Sequence, residues 1–150
     1  MRSRPRGDPT GRRGGHGRRA DRRQAVQILY QADVTGRPPS DVVAELDSAG
    51  GSVAPFAREL ALGVGEHLGE LDRLIGAHAE EWTVERMAVV DRNLLRLACF
   101  ELLYRADVPE GAAISEAVEA ANELSTEESG RFVNGILGRI ARERAANDPR

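Results

Sequence analysis

Apolar residues along this chain recur at intervals of three and four and nowhere in strict alternation, a pattern that predicts helices and no strands. Val26, Leu29, Tyr30 and Val34 form the first such run, from about Arg18, and Gly36, Pro38 and Pro39 stop it. A short second helix is predicted over Ser40 to Ala49, with Ser40 as N-cap, before the Gly50-Gly51 break. The third is long, about residues 53–79, with Phe56, Leu60, Val64, Leu68, Leu71 and Ile75 along one face. Glycines at 63, 65, 69 and 76 interrupt it, each disfavouring helix by about 1 kcal/mol relative to alanine. They predict the close approach of a neighbouring helix.

After Trp82 a short turn starts at Thr83, and Val90, Leu94, Leu97, Ala98 and Leu102 define a strongly apolar fourth helix ending near Arg105. Beyond Pro109 a fifth helix runs from Gly111 to Leu124, with Ile114, Ala117, Val118 and Ala121 inward and Glu116, Glu119 and Glu123 outward. Ser125 and Glu128 have capping-box spacing and open a sixth helix through Val133, Ile136, Leu137 and Ile140. The expected fold class is all-α, a single domain of five to seven helices with short connections.

Charge adds what periodicity does not show. Nine arginines fall within the first twenty-three residues against Asp8 and Asp21, a local charge of +7 in a chain whose total is −3. A basic arm on an acidic body points to a polyanionic partner, with nucleic acid the obvious candidate. Residues 1–17 hold Pro5, Pro9 and five glycines and no apolar anchor after Met1, so a disordered basic arm is expected there. The folded domain is expected over 18–147, followed by a disordered tail at 148–150. All cations are arginine, whose planar fork suits phosphate and stacks on rings. With one cysteine, Cys99, and no apolar stretch near the roughly 20 residues that span a bilayer, a cytoplasmic protein without membrane contact is expected.

Enzyme signatures are missing. Without lysine there is no P-loop, and no Gly-x-Ser-x-Gly elbow occurs. Gly63, Gly65 and Gly69 imitate a dinucleotide fingerprint, but the spacing is one residue too long and the stretch lies inside a predicted helix. His67 and His78 lie about 16 Å apart along a helix, too far to share a metal ion. Cys99 sits in an apolar run and reads as a packed thiol. The adjacent pairs Glu80-Glu81 and Glu127-Glu128 do not face each other on a helix. No catalytic residue, metal or cofactor is expected.

The nucleic-acid features agree with one another. Arg18, Arg19, Arg22 and Arg23 occupy i, i+1, i+4 and i+5, a basic ridge at the start of the first helix able to grip successive phosphates. Near the start of the sixth, Arg131 precedes Phe132, pairing charge with a stacking surface as single-stranded bases require. Two bland readings stand beside these: the ridge as a solvated helix start, and Phe132 as core through its spacing to Ile136 and Ile140. Asp91, at the entrance to the fourth helix, is well placed for the helix dipole.

Four ordered blocks resemble the NusB family of transcription antitermination factors: residues 22–30 (Arg-Arg-Gln-Ala-Val-Gln-Ile-Leu-Tyr), 90–98 (Val-Asp-Arg-Asn-Leu-Leu-Arg-Leu-Ala), 113–119 and 128–137, the last containing Phe-Val-Asn-Gly. The resemblance covers about residues 18–145. It implies two packed three-helix bundles, no catalysis, and binding of boxA RNA in nascent ribosomal RNA transcripts together with the small-subunit ribosomal protein NusE. It also implies assembly with other Nus factors on RNA polymerase to suppress premature termination. By position, Arg18, Arg19 and Arg22 match its RNA-contacting first helix, and Glu128, Arg131 and Phe132 match a second RNA-facing patch. Tyr30 and Asp91 match positions near the ribosomal-protein contact. Ala20 and Asp21 interrupt what is commonly a denser basic run, and Arg23 stands where an acidic residue is usual. A related module fronts some RNA cytosine methyltransferases; with the chain ending at Arg150, no catalytic domain is expected. The alternative is a helical protein-interaction adaptor with only nonspecific RNA binding. Homodimerisation through apolar helices and glycine-lined grooves stays open.

Overall fold

A computed structural model describes residues 11–147, with side chains from Arg18 onward. Of the disordered arm expected over 1–17, residues 1–10 lie outside the described residues, as does the tail expected over 148–150, whereas residues 11–17 form the first turns of α1 instead. The chain forms helices α1 (Gly11–Thr35), α2 (Pro39–Ser48), α3 (Pro55–Glu66), α4 (Leu68–Ala77), α5 (Val89–Tyr104), α6 (Glu110–Leu124) and α7 (Glu127–Ala146), with a 3-10 turn at Val84–Arg86. No strand occurs among the described residues.

Local chemistry accounts for most boundaries. α1 ends where Gly36 takes φ +69°, a left-handed conformation that glycine adopts without steric penalty. The expected cap at Ser40 is corrected: α2 starts at Pro39, with Pro38 at the N-cap position and no side-chain cap. Proline is favoured in the first turn because its missing N–H would have had no helical partner there. α7 is also capped one residue later than expected, by Thr126, whose Oγ1 accepts from the Ser129 N–H at 3.0 Å.

The long third helix is divided. At His67 (φ −115°, ψ 22°) the chain leaves helical geometry, ending α3 and starting α4. Backbone bonds from His67 N to Gly63 O (3.1 Å) and from Leu71 N to His67 O (2.9 Å) carry hydrogen bonding across the bend. Packing explains the break: α3 lies on α1 and α2, whereas α4 lies on α5 and α7, and one straight rod cannot serve both. The weak helix propensity of the nearby glycines lowers the cost of bending here. Gly63 meets the expected close neighbour, since a Cβ there would overlap the Phe100 ring of α5. Gly65 approaches Pro39 of α2, while Gly69 and Gly76 face only ordinary contacts.

The result is two packed three-helix bundles, α1–α3 and α5–α7, with α4 seated against the second. α5 is the common wall, touching α1, α3, α4, α6 and α7, and every residue from Asn93 to Glu101 is buried. Leu60, Leu71, Ile75, Leu94, Leu95, Ile136, Leu137 and Ile140 are among the fully enclosed apolar side chains. Cys99 is enclosed with them, and burial pushes its thiol up to about 12, as expected of a packed thiol rather than a nucleophile.

Candidate nucleic-acid interface

α1 brings the four arginines of the predicted ridge to the seam with α5 and α6, where each meets an acidic group. Arg22 is 8% exposed and forms a two-pronged pair with Glu101 of α5, Nη2 donating to Oε1 at 2.7 Å and Nε to Oε2 at 2.9 Å. Arg19 donates to Glu116 Oε2 (3.1 Å) and Glu119 Oε1 (2.8 Å), and Arg23 to Glu123 Oε1 (2.7 Å). The Arg23 hydrogen bond, followed by its charge, holds the Glu123 carboxyl below its ordinary value. Arg18 lies over the Phe56 ring, Cζ 3.9 Å from the centroid, with Asp107 Oδ2 3.8 Å from its Nη2.

Two expectations change accordingly. Glu116, Glu119 and Glu123 are not a purely solvated outer face, because α6 runs beside α1 and its glutamates answer the arginines. Arg22 is not part of an exposed ridge; its guanidinium is occupied inside the protein. Arg19 stays exposed and Arg18 half-buried, so both can still meet a polyanion at the expense of their internal partners.

The second predicted patch is open. Glu128 and Arg131 are exposed on the first turns of α7, and Phe132 is half-buried against the core edge. Phe132 therefore combines its two readings, one face packed inward and the rest at the surface. Across from it stands Trp82, 51% exposed, the ring centroids 6.4 Å apart at an interplanar angle of 78°. Together with Arg86, Asp91 and Ser129 these residues line a cleft of about 410 Å³. Arg86 and Arg131 form no ion pair among the described residues, unlike the α1 arginines. The cleft also sits at the N-terminus of α7, where the helix dipole favours negative charge nearby.

Asp91 belongs to this cleft. It is 6% exposed; its Oδ2 accepts from Ser129 Oγ at 3.1 Å, and its Oδ1 is buried without a partner. Burial raises its carboxyl above the ordinary range, opposed by the Ser129 hydrogen bond. The next two residues turn the other way: Arg92 and Asn93 reach Asp33 of α1, which also accepts from Arg96, which in turn pairs with Asp72. Tyr30, one turn before Asp33, is 43% exposed. The two positions expected near a protein partner thus face different surroundings, Asp91 toward α7 and Tyr30 outward from α1.

Trp82 and Arg86 escaped the sequence reading as site residues. Their local signals were weak, a lone tryptophan after two glutamates and an arginine in a short turn. Only the packing of the α4–α5 connection against α7 sets Trp82 beside Phe132.

A family model for the NusB family matches residues 19–142. A transcription antitermination protein NusB from Salinispora arenicola is 47% identical over 128 residues, covering 83% of this chain and 94% of that protein. One from Thermobifida fusca is 46% identical over 132 residues, covering 85% and 93%. Among solved structures, T. maritima NusB superposes with a TM-score of 0.75 at 39% identity, covering 84% of this chain and 91% of that one. A chain from a complex of antitermination factors NusB and NusE with dsRNA superposes with a TM-score of 0.74 at 27% identity, covering 84% and 96%.

Proposed function

The chain belongs to the NusB family, and from that premise we propose that it is a transcription antitermination factor, not an enzyme, that binds boxA RNA of nascent ribosomal RNA transcripts together with the ribosomal protein NusE. In this role it joins other Nus factors on RNA polymerase. The observation that carries the reading is the open cleft at the start of α7, where Arg86, without an ion pair among the described residues, lines the same wall as two aromatic rings that bases can stack on, and exposed Arg131 precedes Phe132 on the helix. A similar chain crystallised with NusE and dsRNA supports RNA and NusE as the partners.

On this reading RNA runs from the cleft toward α1, where Arg18 and Arg19 contribute phosphate contacts in competition with Asp107, Glu116 and Glu119. Arg22 supports that surface from beneath by fixing α1 on α5. Exposed Tyr30 contributes to the NusE contact.

The neutralised α1 arginines favour one competing reading, a helical adaptor that meets RNA only nonspecifically. A fluorescence titration separates the two, using boxA RNA and a scrambled RNA of equal length, each with and without purified NusE. The antitermination reading requires tighter binding of boxA, strengthened by NusE. Equal affinity for both RNAs in both conditions rejects it.

A further inference from the structure

Arg92, in the first turn of α5, commits its whole guanidinium to two other elements. Nε and Nη2 donate to the two carboxylate oxygens of Asp33 on α1, both at 2.7 Å. Nη1 donates to the backbone carbonyls of Glu85 at 3.1 Å and Val84 at 3.4 Å. A planar fork of fixed N–H directions suits a carboxylate and a pair of carbonyls at once. The two side chains are 17% and 14% exposed, so salt and water screen the pair little. Asp33 is itself held by Asn93 Nδ2 at 2.9 Å and Arg96 Nη1 at 3.1 Å. The carbonyls belong to the Val84–Arg86 3-10 turn, which follows Trp82 and carries Arg86, both of the cleft wall. So short a turn has little structure of its own: Arg86 N bonds Thr83 O at 3.0 Å and Met87 N bonds Val84 O at 3.2 Å. Burial of Val84 and Met87 sets its depth, but apolar contact is non-directional. Arg92 supplies the directional tie.

Resting on the RNA-binding reading above, we propose that Arg92 is a positioning residue of the cleft: by tying the Val84–Arg86 turn to Asp33 it holds Trp82 and Arg86 in register with Phe132 before RNA arrives. Arg92 itself does not line the cleft, whereas its neighbour Asp91 does. Its effect on RNA therefore passes through the placement of other side chains. A wall set in advance spares the complex the ordering of the turn, which otherwise lowers affinity in proportion to the time the turn spends elsewhere. Removing Arg92 leaves Asp33 with the Asn93 and Arg96 donors, so the substitution strands no charge and the protein still folds.

Trp82 is the only tryptophan in the chain, so its fluorescence anisotropy in the RNA-free protein reports on this wall alone. Arg92→Ala should lower that anisotropy, and boxA affinity per folded molecule should fall about tenfold if the turn then keeps its bound arrangement about a tenth of the time. Arg92→Lys keeps the charge but not the fork, and should behave like Arg92→Ala. Leu60→Ala, which opens a cavity in the core beneath α3, should lower stability while leaving anisotropy and affinity per folded molecule at wild type. Wild-type anisotropy in Arg92→Ala, or lowered anisotropy with unchanged RNA affinity, overturns the positioning role and leaves RNA binding standing. Full rescue by lysine also overturns it, by showing that charge alone suffices, and so does an equal loss in Leu60→Ala, by tracing the effect to general instability. Wild-type protein that binds neither boxA nor scrambled RNA overturns the RNA-binding reading and the positioning role with it.

Discussion

Arg22 and Glu101 meet edge to edge between α1 and α5, two hydrogen bonds of 2.7 and 2.9 Å joining side chains that are 9% and 1% exposed. An arginine that local spacing assigns to a surface ridge thereby becomes part of the fold. Breaking such a pair from one side strands the other charge in the interior, at about 3–5 kcal/mol. Arg22→Ala and Glu101→Ala should each lower unfolding stability by that amount in urea titrations. Any RNA-binding loss in Arg22→Ala should disappear once affinity is expressed per folded molecule; a residual loss would return Arg22 to direct RNA contact.

Salt dependence distinguishes occupied from unoccupied arginines. Each phosphate contact to single-stranded RNA contributes about −0.7 to the slope of log affinity against log salt. Arg131→Ala and Arg86→Ala should each flatten the slope by about that much. Arg19→Ala should flatten it less, because its charge is already shared with Glu116 and Glu119. A larger effect at Arg19 than at Arg131 would show that RNA strips α1 of its glutamate partners.

The two aspartates at the entrance to α5 should respond oppositely to pH. Asp33 is held below its ordinary 3.8, first by the Arg92 hydrogen bond, so its ionised form is favoured by folding. Its stabilisation is present above pH 3.8 and lost as pH falls through the lower folded value. Asp91 is raised above 3.8 by burial, so its contribution is full below pH 3.8 and lost as pH rises through the folded value. At pH 7, Asp33→Asn should destabilise and Asp91→Asn should stabilise. Thermal unfolding at pH 7 and pH 3 should show both differences shrinking in acid.

Two glycines of α7 provide a packing test. A Cβ on Gly130 would overlap the Asn122 amide of α6, whereas one on Gly135 meets only Arg139 Nη1 at 3.8 Å. Gly130→Ala should destabilise by about 1–3 kcal/mol through overpacking. Gly135→Ala should gain up to about 1 kcal/mol of helix propensity. Equal effects in chemical denaturation would show that the α6–α7 spacing is slack.

Helix content, the turns at Gly36 and Pro38-Pro39, and the packed state of Cys99 were legible because each depends on residues close in sequence, through backbone sterics or a 3.6-residue period. The break at His67 was not, since no residue there forbids helix; the incompatible demands of two bundles on one segment impose it. The same distinction separates the two candidate surfaces. By itself the sequence determined an all-helical chain with a basic start and an Arg131-Phe132 pair at a helix opening, since these are properties of neighbours. Only the tertiary structure decided which charges remain available. It laid α6 and Glu101 against the α1 arginines and left Arg86, beside Trp82 and Phe132, and Arg131 without an ion pair among the described residues, because electrostatic pairing depends on through-space distances of a few ångströms between residues separated by as many as a hundred positions along the chain.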